Sequence, residues 1–127
     1  MNRKKELIKV RGFQVASIEL EGALLTHADI FDAAVIGVPA KKLSDGEAPR
    51  GYVVVRPEMK GKVSREEVGR HMRERVAGYK QLTGGIVFVE SIPKTASGKI
   101  LKRVLKEQAV EEMKTEGLRD VAVKGKL

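Results

Sequence analysis

Pro93-Lys94-Thr95-Ala96-Ser97-Gly98-Lys99-Ile100-Leu101-Lys102-Arg103 is the stretch that decides how this chain is read. Thr95, Ala96, Ser97 and Gly98 fill a core poorly, but they turn tightly and leave backbone N–H groups accessible. Ile100, Leu101, Val104 and Leu105 then bring apolar residues at helical spacing. The pattern predicts a short loop feeding a helix, with Lys99 at the junction. A helix start of that kind favours an anion, because free N–H groups and the helix dipole point at it. An ammonium beside those donors would complete a site for a carboxylate or a phosphate. A P-loop is excluded: that motif needs a glycine five residues before its Gly-Lys pair and a Ser or Thr after it. Those places hold Pro93 and Ile100. A bare Ser-Gly-Lys would ordinarily be a solvated surface loop, since lysines are mostly exposed.

Upstream of the loop the chain alternates strands and helices. Ile8 and Val10 alternate with Lys9 and Arg11, while Phe13 and Val15 flank Gln14, which predicts two short strands turning at Gly12. Lys9, Arg11 and Gln14 would then share one polar face. Ser17 is the predicted N-cap of a helix to about His27, with Glu19 and Glu21 in its first turn. Ile18, Ala23, Leu24 and Leu25 form its predicted inward stripe. Ala33-Ala34-Val35-Ile36-Gly37-Val38 reads as a strand covered on both faces and closed by Pro39. Lys41 to Arg50, with Gly46 and Pro49, reads as a loop, and Gly51–Arg56 as the next strand. Ser64 and Glu67 have the spacing of a capping box that opens a helix, whose Val68, Met72, Val76 and Tyr79 share one face. Ile86–Val89 is the third strand. The last helix is expected from Ile100 to about Lys114, with residues 115–127 as a flexible tail.

The predicted class is α+β: a small domain with an N-terminal hairpin and a central three-stranded sheet flanked by helices. At 127 residues it is one domain, large enough for its own core. With 42% hydrophobic and 33% charged residues it is globular rather than disordered. No apolar run approaches the roughly 18 residues of a membrane span, and the N-terminus lacks a signal-peptide core. The absence of cysteine excludes disulfides and thiolate chemistry. His27 and His71 stand far apart with no ligand-spaced partners, so no metal site is expected. The net charge of +8 invites a nucleic-acid reading, but three Phe and two Tyr supply a stacking platform poorly. The charge equally suits a surface that closes over a ligand carrying several phosphates.

The eleven-residue string resembles the C-terminal lysine motif of the adenylate-forming enzymes: acyl- and aryl-CoA synthetases, firefly luciferase and peptide-synthetase adenylation domains. Arg3-x-Lys5-x-x-Ile8-Lys9-x-x-Gly12, followed by Glu19-Leu20-Glu21, resembles the hinge and first C-terminal-domain motif of the 4-coumarate–CoA ligase and luciferase branch. Ser17-Ile18 stands where Pro-Ala is usual, and Arg11 where lysine is common. Val35-Ile36-Gly37-Val38-Pro39, then Gly46-Glu47 and Pro49, continue the likeness, which covers Arg3 through Arg103.

The resemblance implies a mobile C-terminal lid, hinged near residues 3–5, of an ATP-dependent carboxylate–CoA ligase. Its partner would be an N-terminal adenylation domain that carries the phosphate loop, the acyl pocket and most of the ATP site, with Mg2+ held mainly there. The substrates would be a carboxylic acid, ATP and CoA, and the lid would be inactive alone. Lys99 would contact the acyl carboxylate and the ATP α-phosphate. Arg3, Lys5, Lys9 and Gln14 would contact AMP or the acyl-adenylate, while Arg11 and Gly12 would line the path of CoA. The competing reading is a stand-alone, non-catalytic basic module that binds CoA, nucleotide or a partner protein. A cytoplasmic location is expected; Gly125-Lys126-Leu127 differs from the peroxisomal Ser-Lys-Leu address at its first residue, which makes the peroxisome the alternative.

Overall fold

Strands β1 (Leu7–Val10) and β2 (Phe13–Ala16) pair antiparallel, Ile8 opposite Val15 and Lys9 opposite Gln14. Because side chains alternate across a strand, Ile8 and Val15 are buried together while Lys9 and Gln14 share the solvent face. The turn is the two residues Arg11-Gly12, with φ of +49° and +86°. Positive φ at both positions defines the type I′ turn, whose twist matches that of the flanking strands. The computed structural model describes residues 7–125, in two units divided after Ile92. The hinge expected at residues 3–5, with Arg3 and Lys5, lies outside the described residues, as do the last two residues of the Gly125-Lys126-Leu127 signal.

In the first unit, helix α1 (Ser17–Leu25) follows β2 directly. The sequence placed Ser17 at the N-cap, but Ala16 occupies it and makes no side-chain cap bond. Ser17 is instead the first helical residue, buried, with a hydroxyl that has no partner. That register points Ser17, Leu20 and Leu24 inward at i, i+3 and i+7. Ile18 and Leu25, expected inside, therefore turn outward, and Ile18 is 68% exposed.

The sheet has the order β3-β4-β5. β3 (Ile30–Pro39) pairs antiparallel with β4 (Glu47–Val55), which pairs parallel with β5 (Ile86–Phe88). Ala33 to Ile36 are buried in succession, as expected of a strand covered on both faces. β4 begins four residues earlier than the sequence suggested, inside the stretch read as a loop. Pro49 does not break it, for a local reason. Its carbonyl accepts the Gly84 N–H at 2.7 Å, and N and O of one strand residue point to the same side. The missing N–H thus faces the side where β5 has not yet begun, and costs no bond to β3.

Helix α2 (Arg65–Arg73) is capped by Ser64, whose hydroxyl accepts the Glu67 N–H at 3.1 Å. The other half of the predicted capping box does not form, because the Glu67 carboxylate turns to His27. Val68 and Met72 are buried; the helix ends before Val76 and Tyr79, which are half-buried beyond it. The core of this unit joins Ile8, Val15, Leu20, Leu24, Val35, Val53, Val68 and Met72. Each such side chain contributes about 1.5–3 kcal/mol of transfer free energy.

The second unit holds the lysine loop and helix α3 (Lys102–Gly125), which starts two residues later and runs further than the sequence indicated. Leu105 and Ala109 are its buried residues among those described.

Candidate functional site

The loop Thr95–Lys99 closes on itself. Thr95 N–H donates to the Lys99 carbonyl at 2.8 Å, Gly98 N–H to the Thr95 carbonyl at 2.9 Å, and Lys99 N–H to Thr95 Oγ1 at 3.1 Å. Gly98 has φ +92° with open space where a Cβ would stand, so the turn, not a close contact, calls for glycine. Outside this ring Lys94 bridges Ile100, and Leu101 N–H donates to the Pro93 carbonyl at 2.9 Å. These bonds hold residues 99–101 out of the helix and set Lys99 three residues before it. The sequence expectation is corrected here. The N–H groups of Thr95, Gly98 and Lys99 are consumed within the loop, and Lys99 stands three residues before the helix rather than at its start. Its side chain is exposed on a loop whose backbone is fixed at both ends.

In the first unit the hairpin brings together Lys9 and Gln14, expected at the acyl-adenylate, and Arg11 and Gly12, expected along the path of CoA. Lys9 and Gln14 lie opposite each other in the register, both exposed, and Arg11-Gly12 forms the tip. A Cβ on Gly12 would meet nothing within 4 Å, so the space above the turn is open. The tip is anchored: Arg11 N–H donates to the Asp45 carbonyl at 2.8 Å, and Val10 bridges Gly46. Beside it lies a depression of about 330 Å3, lined by Arg11, Lys41, Lys42, Asp45, Tyr79 and Thr83 among others. Phe13 stacks on Tyr79 at 4.4 Å. The adjoining Lys80 has its pKa raised by its hydrogen bond to Glu19, at 2.8 Å. Sequence reasoning missed Lys41, Lys42 and Tyr79; the first two stood in a stretch read as plain loop, and Tyr79 was placed on a helix face.

The two histidines, judged unrelated from their separation, meet at 4.9 Å edge to face. His27 Nε2 contacts Glu67 Oε2 at 2.8 Å, and His27 Nδ1 accepts the Asp29 N–H at 3.1 Å. His27, Asp29 and Glu67 form a group with metal-ligand atoms, but both ring nitrogens of His27 are engaged within the protein. His71 Nε2 lies 3.0 Å from the Ala23 carbonyl and must donate to it. The cluster therefore braces α1 and the turn after it against α2.

Three comparisons bear on this arrangement. Residues 19–99 match the family model of the AMP-binding enzyme C-terminal domain. The chain is 54% identical over 115 residues to acyl-CoA synthetase ACTT5 of Alternaria alternata, covering 90% of this chain and 20% of that protein. It is 47% identical over 113 residues to phenylacetyl-CoA ligase epaB of Aspergillus niger, covering 89% and 20%. Among solved structures it resembles the Mycobacterium tuberculosis fatty acyl CoA synthetase at 33% identity and a TM-score of 0.71, over 81% of this chain and 19% of that one. The Brucella canis acyl-CoA synthetase superposes with a TM-score of 0.75 at 29% identity, over 89% and 20%. The chain thus spans about a fifth of the length of these relatives, and no helix among its described residues is long and apolar enough to cross a membrane. It belongs to the AMP-binding enzyme C-terminal domain family, the C-terminal domain of adenylate-forming enzymes.

Proposed function

We propose that this chain is the mobile lid of an ATP-dependent carboxylate–CoA ligase, presenting Lys99 in adenylation and the hairpin in thioester formation. The observation that carries the reading is the closed Thr95–Lys99 loop, which holds one exposed ammonium on a backbone tied at both ends. In the first step a carboxylate oxygen attacks the ATP α-phosphorus, forming the acyl-adenylate and releasing pyrophosphate. Two anions must approach, and an ammonium between them offsets their repulsion. At about 4 Å and an effective dielectric near 20, each contact is worth roughly 4 kcal/mol before desolvation.

In the second step the CoA thiolate attacks the acyl carbonyl and AMP leaves. Lys9 and Gln14 are assigned to the adenylate, with Arg3 and Lys5 beside the hinge, and Arg11 and Gly12 to the arm of CoA. ATP, its Mg2+ and the acyl group are assigned to the adenylation domain, and the isolated lid is inactive. Exchange of two faces over one site is an established way to assemble two constellations in turn.

The test uses a full-length ligase with this chain as its C-terminal domain. Lys99→Ala should lower ATP–pyrophosphate exchange by roughly 100- to 1,000-fold while supplied acyl-adenylate still becomes thioester. Lys9→Ala should show the opposite bias. Equal loss of both half-reactions in both variants would sink the assignment.

A further inference from the structure

The segment Asp45-Gly46-Glu47 grips the back of the hairpin at three successive residues. Arg11 N–H donates to the Asp45 carbonyl, Val10 bridges Gly46, and Lys9 N–H donates to Glu47 Oε1 at 3.0 Å. The third contact differs in kind from the others, because its acceptor is a side chain reaching across from the start of β4. Lys9 sits in β1 opposite Gln14, so without Glu47 its N–H would be an edge donor turned away from β2.

The carboxylate has a seat made for it. A Cβ on Gly37 would lie 3.0 Å from Glu47 Oε2 and 3.1–3.2 Å from its Cδ and Oε1. The bare glycine in β3 is what lets the carboxylate lie against the sheet. Gly46, with φ +78°, is confined in turn: its Cβ would meet the Lys9 carbonyl at 3.0 Å. Sheet, carboxylate and hairpin form a continuous chain of contacts that ends on the backbone of Lys9.

We propose that Glu47 is a positioning residue for thioester formation, holding the Lys9–Gly12 face at a fixed height above the sheet. It touches no substrate; it acts through the Lys9 backbone, and Gly37 acts through Glu47. The proposal rests on the hairpin's assignment to the thioester step. It goes beyond that assignment by naming what fixes the hairpin.

The test has two readouts. In the 127-residue chain, amide hydrogen exchange at Lys9 should quicken roughly tenfold in Glu47→Ala, the loss of one charge-assisted bond. Glu47→Gln should restore most of the protection, because an amide oxygen still accepts that N–H. In the full-length ligase Glu47→Ala should slow thioester formation from supplied acyl-adenylate and leave ATP–pyrophosphate exchange unchanged. Gly37→Ala, which never touches the hairpin, should shift the same step in the same direction. Unchanged exchange at Lys9, or equal slowing of both half-reactions, would overturn the positioning role. Should Lys9 loosen while Glu47→Ala and Lys9→Ala both leave the thioester step untouched, the proposal falls because the hairpin's own assignment has failed.

Discussion

Gly84→Ala adds one methyl group where the structure has no room for it. Its Cβ would stand 2.8 Å from the Pro49 carbonyl oxygen, 3.0 Å from the Pro49 carbonyl carbon and 2.9 Å from Val38 Cγ2. Two of these atoms are backbone in β4, which cannot yield easily because Pro49 is held in register opposite Gly37. The turn cannot simply move away either. Gly84 N–H is bonded to that same Pro49 oxygen at 2.7 Å, and its carbonyl accepts from the buried Arg50 guanidinium at 2.8 Å. Relief of the clash must stretch one of these bonds or shift a strand. Overpacking of this kind costs about 1–3 kcal/mol. For a domain of this size that corresponds to a melting temperature lower by about 3–10 °C.

Gly22 is the matched control: it lies exposed within α1, and its Cβ would meet nothing within 4 Å. Gly22→Ala should stabilise by about 0.5–1 kcal/mol, because glycine loses more backbone entropy in a helix than alanine. Urea unfolding of the three proteins, with equal m values, reads both differences. A Gly84→Ala chain as stable as the wild type would refute the packing of the Thr83–Gly85 turn against β4.

Two further predictions concern α2. Ser64→Ala should cost about 1 kcal/mol of stability and Ser64→Asp much less, since the hydroxyl caps the Glu67 N–H and the Glu67 carboxylate is committed to His27; equal denaturation midpoints for all three would contradict this cap. His71 has its pKa lowered chiefly by burial, with Arg75 and His27 lowering it further and the Ala23 carbonyl and Glu74 pulling the other way. Its folded pKa thus lies below the unfolded value near 6.5, so its contribution is intact above that pH and declines as pH falls through the window beneath it. Urea midpoints between pH 7.5 and 5.5 should fall, and less steeply in His71→Gln; a midpoint that rises over this range would reverse the sign.

What the sequence disclosed and what it hid divide along one physical line. The hairpin, the three strands and the Ser64 cap are written in neighbours two or three residues apart, and local chemistry is enough to read them. The errors begin where a distant partner decides. Ser17 looks like a cap, but β2 feeds straight into α1 and burial of Leu20 and Leu24 sets the helix register, at the expense of a satisfied hydroxyl. Pro49 looks like part of a loop until Gly84 shows which side of β4 lacks a donor. His27 and His71, 44 positions apart by number, are joined by the crossing of α1 and α2. Lys99 shows both sides at once. Its motif is legible because eleven consecutive residues carry it, while its setting is not, because bonds within Thr95–Lys99 spend the N–H groups of Thr95, Gly98 and Lys99 before the helix begins. An anion drawn to this loop would therefore meet the ammonium with three of the loop's amides already engaged. The same reasoning makes Lys99→Arg informative: it keeps the charge but replaces a compact ammonium with a planar fork, so a site built on position should lose adenylation even with charge preserved.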